Sequence, residues 1–325
     1  MTAGARATGD VRIAILDDYQ GVATDIADWS PLSGRAEIIA FTDHLTDHDD
    51  LVNRLAEFDV VVAMRERTPF GRDLLARLPR LRLLVTTGMR NASIDLTAAG
   101  DLGVLVSGTG MSASAPVELT WALLMALVRD IPGEDRRTRD GVWQRHLPLE
   151  LAGSTLGIVG LGRLGQRIAA IARLFGMTVI AWSENLTAAA AAQHDVERVD
   201  KAELFRRSDI VTIHTVLSDR TRDLVGRAEL ALLGGAGYLV NTSRGPIVNE
   251  RALIDALTNG TIAGAALDVF DVEPLPAGHP LLSTPRTILS PHVGFVSQQA
   301  YAGTYGQVVE DIAGGLDGNP LRVLG

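Results

Sequence analysis

The run from Ser154 to Arg173, STLGIVGLGRLGQRIAAIAR, leaves the chain few folds to choose from. Thr155-Leu156-Gly157-Ile158-Val159 is a short apolar run that suits a buried strand. Gly160-Leu161-Gly162-Arg163-Leu164-Gly165 follows at once, and apolar residues then recur at Ile168, Ile171 and Ala172, the spacing of one helix face. Strand, glycine turn and helix is the context in which this glycine spacing reads as a dinucleotide site. Gly160 permits the tight turn, Gly162 lets a pyrophosphate approach the backbone, and Gly165 lets the helix pack against the strand. The free amides and positive dipole end of the helix then face the anion.

A chain of 325 residues has room for two domains, and a hydrophobic content of 46% marks it as globular. No apolar run is long enough to span a bilayer: the longest, near Leu119–Val128, carries Thr120 and stops at Arg129-Asp130. The opening MTAGARATG lacks the apolar centre of a signal peptide, so it reads as a loose tail on a cytoplasmic protein. No membrane partner is expected. The absence of cysteine removes disulfides, thiol catalysis and thiolate zinc sites together. Lys201 is the only lysine and sits at an exposed helix start, which disfavours Schiff-base chemistry. A net charge of −9 argues against a nucleic-acid partner. Arg136-Arg137-Thr138-Arg139 is bracketed by Glu134-Asp135 and Asp140, the pattern of a solvated helix face.

Ahead of the glycine turn, Val11–Leu16, Ala36–Phe41, Val60–Ala63, Leu81–Val85 and Val104–Val106 read as strands, with a helix near Leu51–Phe58. Strands alternating with helices predict a parallel sheet covered on both faces, with ligands at the strand ends. Two such ends carry chemistry: Met64-Arg65-Glu66-Arg67-Thr68 and Thr86-Thr87-Gly88-Met89-Arg90-Asn91. The acidic, histidine-bearing run from Asp43 to Asp50 suits a helix start capped by Thr46 better than a metal site, and no metal is expected. Ala113–Arg139 reads as a long helical region with Trp121, Leu124, Met125 and Val128 on one face, followed by a loop over Gly141–Gly153. Its apolar stripe suits a linker, an oligomer face or simple core packing.

Beyond the glycine turn, Met177–Trp182 is the next strand, whose end meets the adenosine ribose in this kind of fold. Ser183-Glu184-Asn185 stands there. The acid is one place late, no arginine awaits a 2′-phosphate and Glu184 would repel one, so NAD is favoured, with NADP as the alternative. Glu184 could equally cap the helix after Leu186. Ile210–His214, Tyr238–Asn241 and Ala263–Leu267 are further buried strands ending in His214-Thr215, Thr242-Ser243-Arg244-Gly245 and Asp268. Ile288–Leu289 follows, then Ser290-Pro291-His292-Val293-Gly294. A terminal helix over about Ser297–Leu316 is expected to return to the first domain.

Val240–Pro246, Asp268–Pro274 and Ser290–Gly294, in that order behind the glycine turn, resemble the D-isomer-specific 2-hydroxyacid dehydrogenase family, including its phosphoglycerate dehydrogenase-like members, over nearly the whole chain. The resemblance implies an α/β protein of two Rossmann-like domains with parallel sheets and a cleft between them. A flavodoxin-like substrate domain would comprise residues 1–102 and 291–325, with an NAD(P)-binding Rossmann domain inserted over 103–290. It implies an oxidoreductase moving a hydride between NAD(P)H and a 2-oxo acid or D-2-hydroxy acid, assembled as a homodimer. In that reading Arg244 binds the substrate carboxylate, as a planar charged fork would. His292 is the acid/base, and Glu273 pairs with it and keeps it protonated for reduction. Asp268 would hydrogen-bond the nicotinamide carboxamide. Arg163 and Leu164 lie over the pyrophosphate with Gly160, Gly162 and Gly165, and Ser183 and Glu184 stand at the ribose. His214, Val216, Thr242, Arg244 and Gly294 line the cofactor. Thr87 and Gly88 match a turn whose amides hold the substrate carboxylate, and Arg65 a strand-end position near the substrate. The departures are Thr215-Val216-Leu217 where a proline is usual, Met89-Arg90-Asn91 after the glycine, and Ser183 in place of aspartate. A different class remains open on the same scaffold: a non-catalytic NAD(H)-sensing or corepressor-like protein.

Overall fold

Val60-Val61-Val62-Ala63 is buried at every position, as only a strand covered on both faces can be. Such strands recur through the computed structural model, which describes residues 11–325; the loose tail expected for the opening nine residues lies outside them. The chain forms two compact units, Met1–Ser112 with Val296–Gly325, and Ala113–Phe295.

Unit 1 holds β1 (Val11–Ile15), β2 (Ala36–Ala40), β3 (Val60–Ala63), β4 (Leu83–Thr86) and β5 (Leu105–Gly108). They form one parallel sheet in the order β2-β1-β3-β4-β5. Unit 2 holds β6 (Thr155–Val159), β7 (Thr178–Trp182), β8 (Glu197–Arg198), β9 (Ile210–Ile213), β10 (Tyr238–Asn241), β11 (Gly264–Leu267) and β12 (Thr287–Leu289). These form a second parallel sheet in the order β12-β11-β10-β9-β6-β7-β8. Both orders reverse direction beside the first strand of the unit, which is where open α/β sheets bind ligands. Neighbouring residues feed opposite cores: Ile158, Val179, Ile210 and Val240 pack on one face of the second sheet, Val159, Ile180, Val211 and Leu239 on the other.

Several expectations need correction. Residues 103–112 belong to unit 1 and not to the inserted domain, because β5 pairs with β4. The return crossing likewise falls after Phe295, so Pro291–Phe295 stay with unit 2. Ala113–Arg139 is two helices, Ser114–Val128 and Ile131–Arg139. Asp130 breaks them with a left-handed backbone (φ 47°), and Pro132 can only sit in the first turn of the second helix. Arg137 of the basic run pairs with Asp130 and Glu134, and Arg139 with Asp135. Asp47, not Thr46, caps the helix His48–Leu55, accepting from the amides of Asp49 and Asp50. His44 lies 2.7 Å from the Asp17 carboxylate. Thr187 caps the helix Ala188–Ala192, so Glu184 does not.

The last helix, Gln298–Leu316, packs in unit 1, and the tail after it is tied to the sheet edge. Gly108 donates to the Arg322 carbonyl, and Leu324 to that of Val106. Arg322 Nε donates to Asp311 Oδ1 at 2.9 Å, and Asp311 is fully buried. Burial pushes the Asp311 carboxyl up to about 6 in spite of Arg322. The folded chain therefore holds this proton more tightly than the unfolded chain. That stabilisation is complete below the ordinary value of 3.8 and is lost as the pH rises through about 6. The parent is expected to lose more thermal stability than Asp311→Asn between about pH 4 and pH 7. Scanning calorimetry reads this; parallel loss in both proteins would remove Asp311 as the source.

Candidate active site

The glycine turn takes the form its sequence demands. Gly160 has φ 101°, and a Cβ there would stand 2.7 Å from the His214 carbonyl oxygen. A Cβ on Gly165 would stand 2.3 Å from the Gly160 carbonyl oxygen, so the helix Arg163–Leu174 is seated against the turn by the missing side chain. Gly162 is the N-cap of that helix, offers no side-chain cap, and has nothing within 4 Å of where a Cβ would be. Arg163, the first residue of that helix, is exposed. These residues fit a diphosphate. Ser183 and exposed Glu184 follow β7, the neighbour of β6. His214 closes β9, its Nε2 2.9 Å from Thr212 Oγ1, and burial drives it down to about 4, so the ring is neutral at pH 7. Val216 beyond it is exposed.

At the end of β10, buried Asn241 folds the chain back on itself. Its Oδ1 accepts from the Ser243 amide at 3.0 Å and its Nδ2 donates to the Arg244 carbonyl at 2.9 Å. Ser243 Oγ donates to the Thr215 carbonyl, and Thr242 Oγ1 lies 2.9 Å from Thr120 Oγ1. Arg244 Nη1 donates to the Ser243 carbonyl at 2.7 Å. Gly245 is pressed against the next strand end: a Cβ there would lie 2.1 Å from the Phe270 carbonyl carbon. The Arg244 turn is thereby fixed beside the loop after β11, which carries Glu273.

Glu273 Oε1 accepts from the Phe270 amide at 2.9 Å, and Oε2 lies 2.5 Å from His292 Nδ1. One carboxylate oxygen thus anchors the loop and the other fixes the imidazole. His292 itself has a left-handed backbone (φ 51°) and packs edge-on to Phe295. Asp268 holds this loop in place: Oδ1 accepts from Ser290 Oγ at 2.6 Å and the Val293 amide at 2.9 Å, and Oδ2 from the Gly294 amide at 2.8 Å. Burial pushes the Asp268 carboxyl up, against the pull of those donors. Unit 2 therefore brings Arg244, Asp268, Glu273 and His292 together on successive strand ends. Asn241, Ser243 and Ser290 also build the site, a role the motif spacing alone does not assign them. Their sequence signal is a short polar side chain at a strand end, a recurrent turn-closing device.

Unit 1 carries the remaining candidate residues. The Thr87 amide donates to the Ala63 carbonyl at 3.0 Å and the Gly88 amide to Thr109 Oγ1 at 3.0 Å. Arg65 stands at the end of β3 as expected, with its Nη1 2.6 Å from where a Cβ on Gly88 would be. Among the described residues no group of three or more His, Cys, Asp or Glu is placed to hold a metal. No helix among them is long and apolar enough to cross a membrane.

Residues 121–294 match the model of the D-isomer specific 2-hydroxyacid dehydrogenase NAD-binding domain. This chain belongs to the D-isomer specific 2-hydroxyacid dehydrogenase family. It is 40% identical to a glyoxylate reductase of Aeropyrum pernix, over 70% of this chain and 71% of the relative. It is 35% identical to a D-3-phosphoglycerate dehydrogenase of Methanocaldococcus jannaschii, over 81% of this chain and 51% of that one, so it spans about half the length of that relative. Its fold is similar to that of a putative D-3-phosphoglycerate dehydrogenase oxidoreductase from Ralstonia solanacearum, with a TM-score of 0.90, 35% identity and 96% of each chain covered. The dehydrogenase is thus an NAD(P)-dependent enzyme of α/β class with two Rossmann-like units.

Proposed function

We propose that this dehydrogenase reduces a 2-oxo acid to the D-2-hydroxy acid, with Arg244 binding the carboxylate and His292 supplying the proton. The observation that carries the reading is the Glu273–His292 pair at 2.5 Å, fixed one strand end away from Arg244. Nδ1 faces Glu273, which leaves Nε2 as the nitrogen that can donate to a carbonyl oxygen. Histidine changes charge near neutral pH, and an imidazolium held by a carboxylate is a competent general acid. Arg244 offers a planar fork to the carboxylate and orients the adjacent carbonyl. When bound, NADH would supply the hydride, and the glycine turn, Arg163, Leu164, Thr242 and Asp268 would hold it. Ser183 with Glu184 supports NAD over NADP, because a carboxylate at the ribose repels a 2′-phosphate. The reading extends to Arg65 as a cation for the substrate. It also extends to a homodimer, for which exposed Trp143 and Leu147 of unit 2 are the support; a single-protomer mass in sedimentation would remove that part.

The test is loss of NADH absorbance with glyoxylate, hydroxypyruvate and pyruvate, repeated with NADPH. Turnover with at least one 2-oxo acid, faster with NADH, is expected. NADH bound tightly with no turnover on any of them would favour a sensing protein on the same scaffold.

A further inference from the structure

Arg65 is held in a backbone conformation that arginine rarely adopts, with φ 55°. Such a conformation persists only where the surroundings over-determine it, and here both backbone groups of the residue are occupied by side chains from the end of β4. The Arg65 amide donates to Thr87 Oγ1 at 2.9 Å. Its carbonyl accepts from Asn91 Nδ2 at 2.6 Å. Asn91 is itself fixed, since the same Nδ2 lies 2.9 Å from Thr86 Oγ1 and its Oδ1 accepts from the Ser93 amide at 2.9 Å. The left-handed turn aims the side chain across the sheet end, where Nη1 lies over the bare face of Gly88 with Met111 Sδ at 2.5 Å behind it. Gly88 has φ 116°, and a side chain there would displace the guanidinium.

We propose that Asn91, assisted by Thr87, is the positioning residue that fixes the Arg65 cation for the substrate acid. This rests on the 2-oxo acid reductase reading above. Asn91 touches no reacting atom; it sets where the charge of Arg65 stands. An extended backbone at Arg65 would turn its Cα–Cβ bond away from Gly88, and the cation would be spread over many rotamers. The cost would fall on substrate binding and not on hydride transfer, whose acid/base group is in unit 2.

The experiment compares the parent with Asn91→Ala, Asn91→Asp, Arg65→Ala and the Asn91→Ala/Arg65→Ala double variant, in reduction of glyoxylate and hydroxypyruvate by NADH. Asn91→Asp keeps the acceptor for Ser93 but faces the Arg65 carbonyl with oxygen, so it separates holding Arg65 from holding the loop. Both single Asn91 variants are expected to raise KM about tenfold with kcat and NADH affinity nearly unchanged. The double variant is expected to be no worse than Arg65→Ala alone. Parent-like kinetics in Asn91→Asp, or effects that multiply in the double variant, would overturn the proposal. A crystal structure of Asn91→Asp gives a readout without activity: Arg65 is expected to leave its left-handed conformation, and its retention over Gly88 would also overturn the proposal. If the parent reduces no 2-oxo acid, the reductase reading falls on that result, while the conformation of Arg65 still decides the role of Asn91.

Discussion

Arg244→Ala is expected to lower kcat/KM for 2-oxo acid reduction by about a thousandfold, roughly 4 kcal/mol of transition-state binding, while NADH binds as in the parent. Two arguments set the size. A charge-assisted, two-pronged contact to a carboxylate is worth several ordinary hydrogen bonds, and its loss also frees the carbonyl from the orientation that hydride transfer needs. The turn survives the substitution, because Asn241 bonds to the backbone of residue 244 and not to its side chain. Arg244→Lys is expected to recover little, since an ammonium cannot reproduce the planar fork. Stopped-flow reduction together with fluorescence titration of NADH separates the two effects. Near-parental turnover in Arg244→Ala would sink the assignment.

Gly165→Ala is expected to damage both folding and cofactor binding. The new methyl group would lie 2.3 Å from the Gly160 carbonyl oxygen and 3.2 Å from Ile158 Cγ2. The first is a backbone atom in the turn itself, so no side-chain rotation relieves the contact. Overpacking of this kind costs typically 1–3 kcal/mol, and a backbone clash belongs at the upper end. The helix must tilt or slide away from β6, carrying its N-terminal amides with it. A drop of several degrees in the melting temperature of unit 2 and at least about a tenfold weaker NADH affinity are expected together. Gly162→Ala is the control: its Cβ meets no protein atom, so folding is spared and only NADH binding falls. An unaltered melting temperature in Gly165→Ala would show that the close approach is not needed.

Much of the fold is legible in the sequence. The long buried strands read directly, because a parallel strand covered on both faces leaves an uninterrupted apolar run, as at Val60–Ala63 and Ile210–Ile213. Arg244, Asp268 and His292 stand directly beyond such runs, which is what singles them out in the sequence, whereas Glu273 is picked out by the family resemblance; their roles are proposals. What escaped was local and steric. The two-residue strand β8 carries exposed Glu197 and Arg198 and so has no apolar signature. The break at Asp130 lies inside an otherwise continuous helical stretch, and only the pyrrolidine ring of Pro132 hinted at it. Thr46 and Asp47 are both competent caps, and which one serves depends on the chain's direction of entry. The commitment of the Thr87 and Gly88 amides to Ala63 and Thr109 depends on partners distant in sequence, which spacing alone does not specify.

The order of the two units along the chain has a consequence for inheritance. Unit 2 is one uninterrupted segment, Ala113–Phe295, and it contains Arg244, Asp268, Glu273 and His292 together with the glycine turn. Arg65 and Asn91 are encoded outside it. A recombination event with breakpoints near residues 112 and 296 would move the proposed catalytic residues as a single cassette and leave Arg65 and Asn91, the proposed substrate cation and its support, behind. If the proposed roles hold, lineages built from such exchanges would keep one reaction while trading acids, and a graft of only the part outside the cassette would act on selectivity.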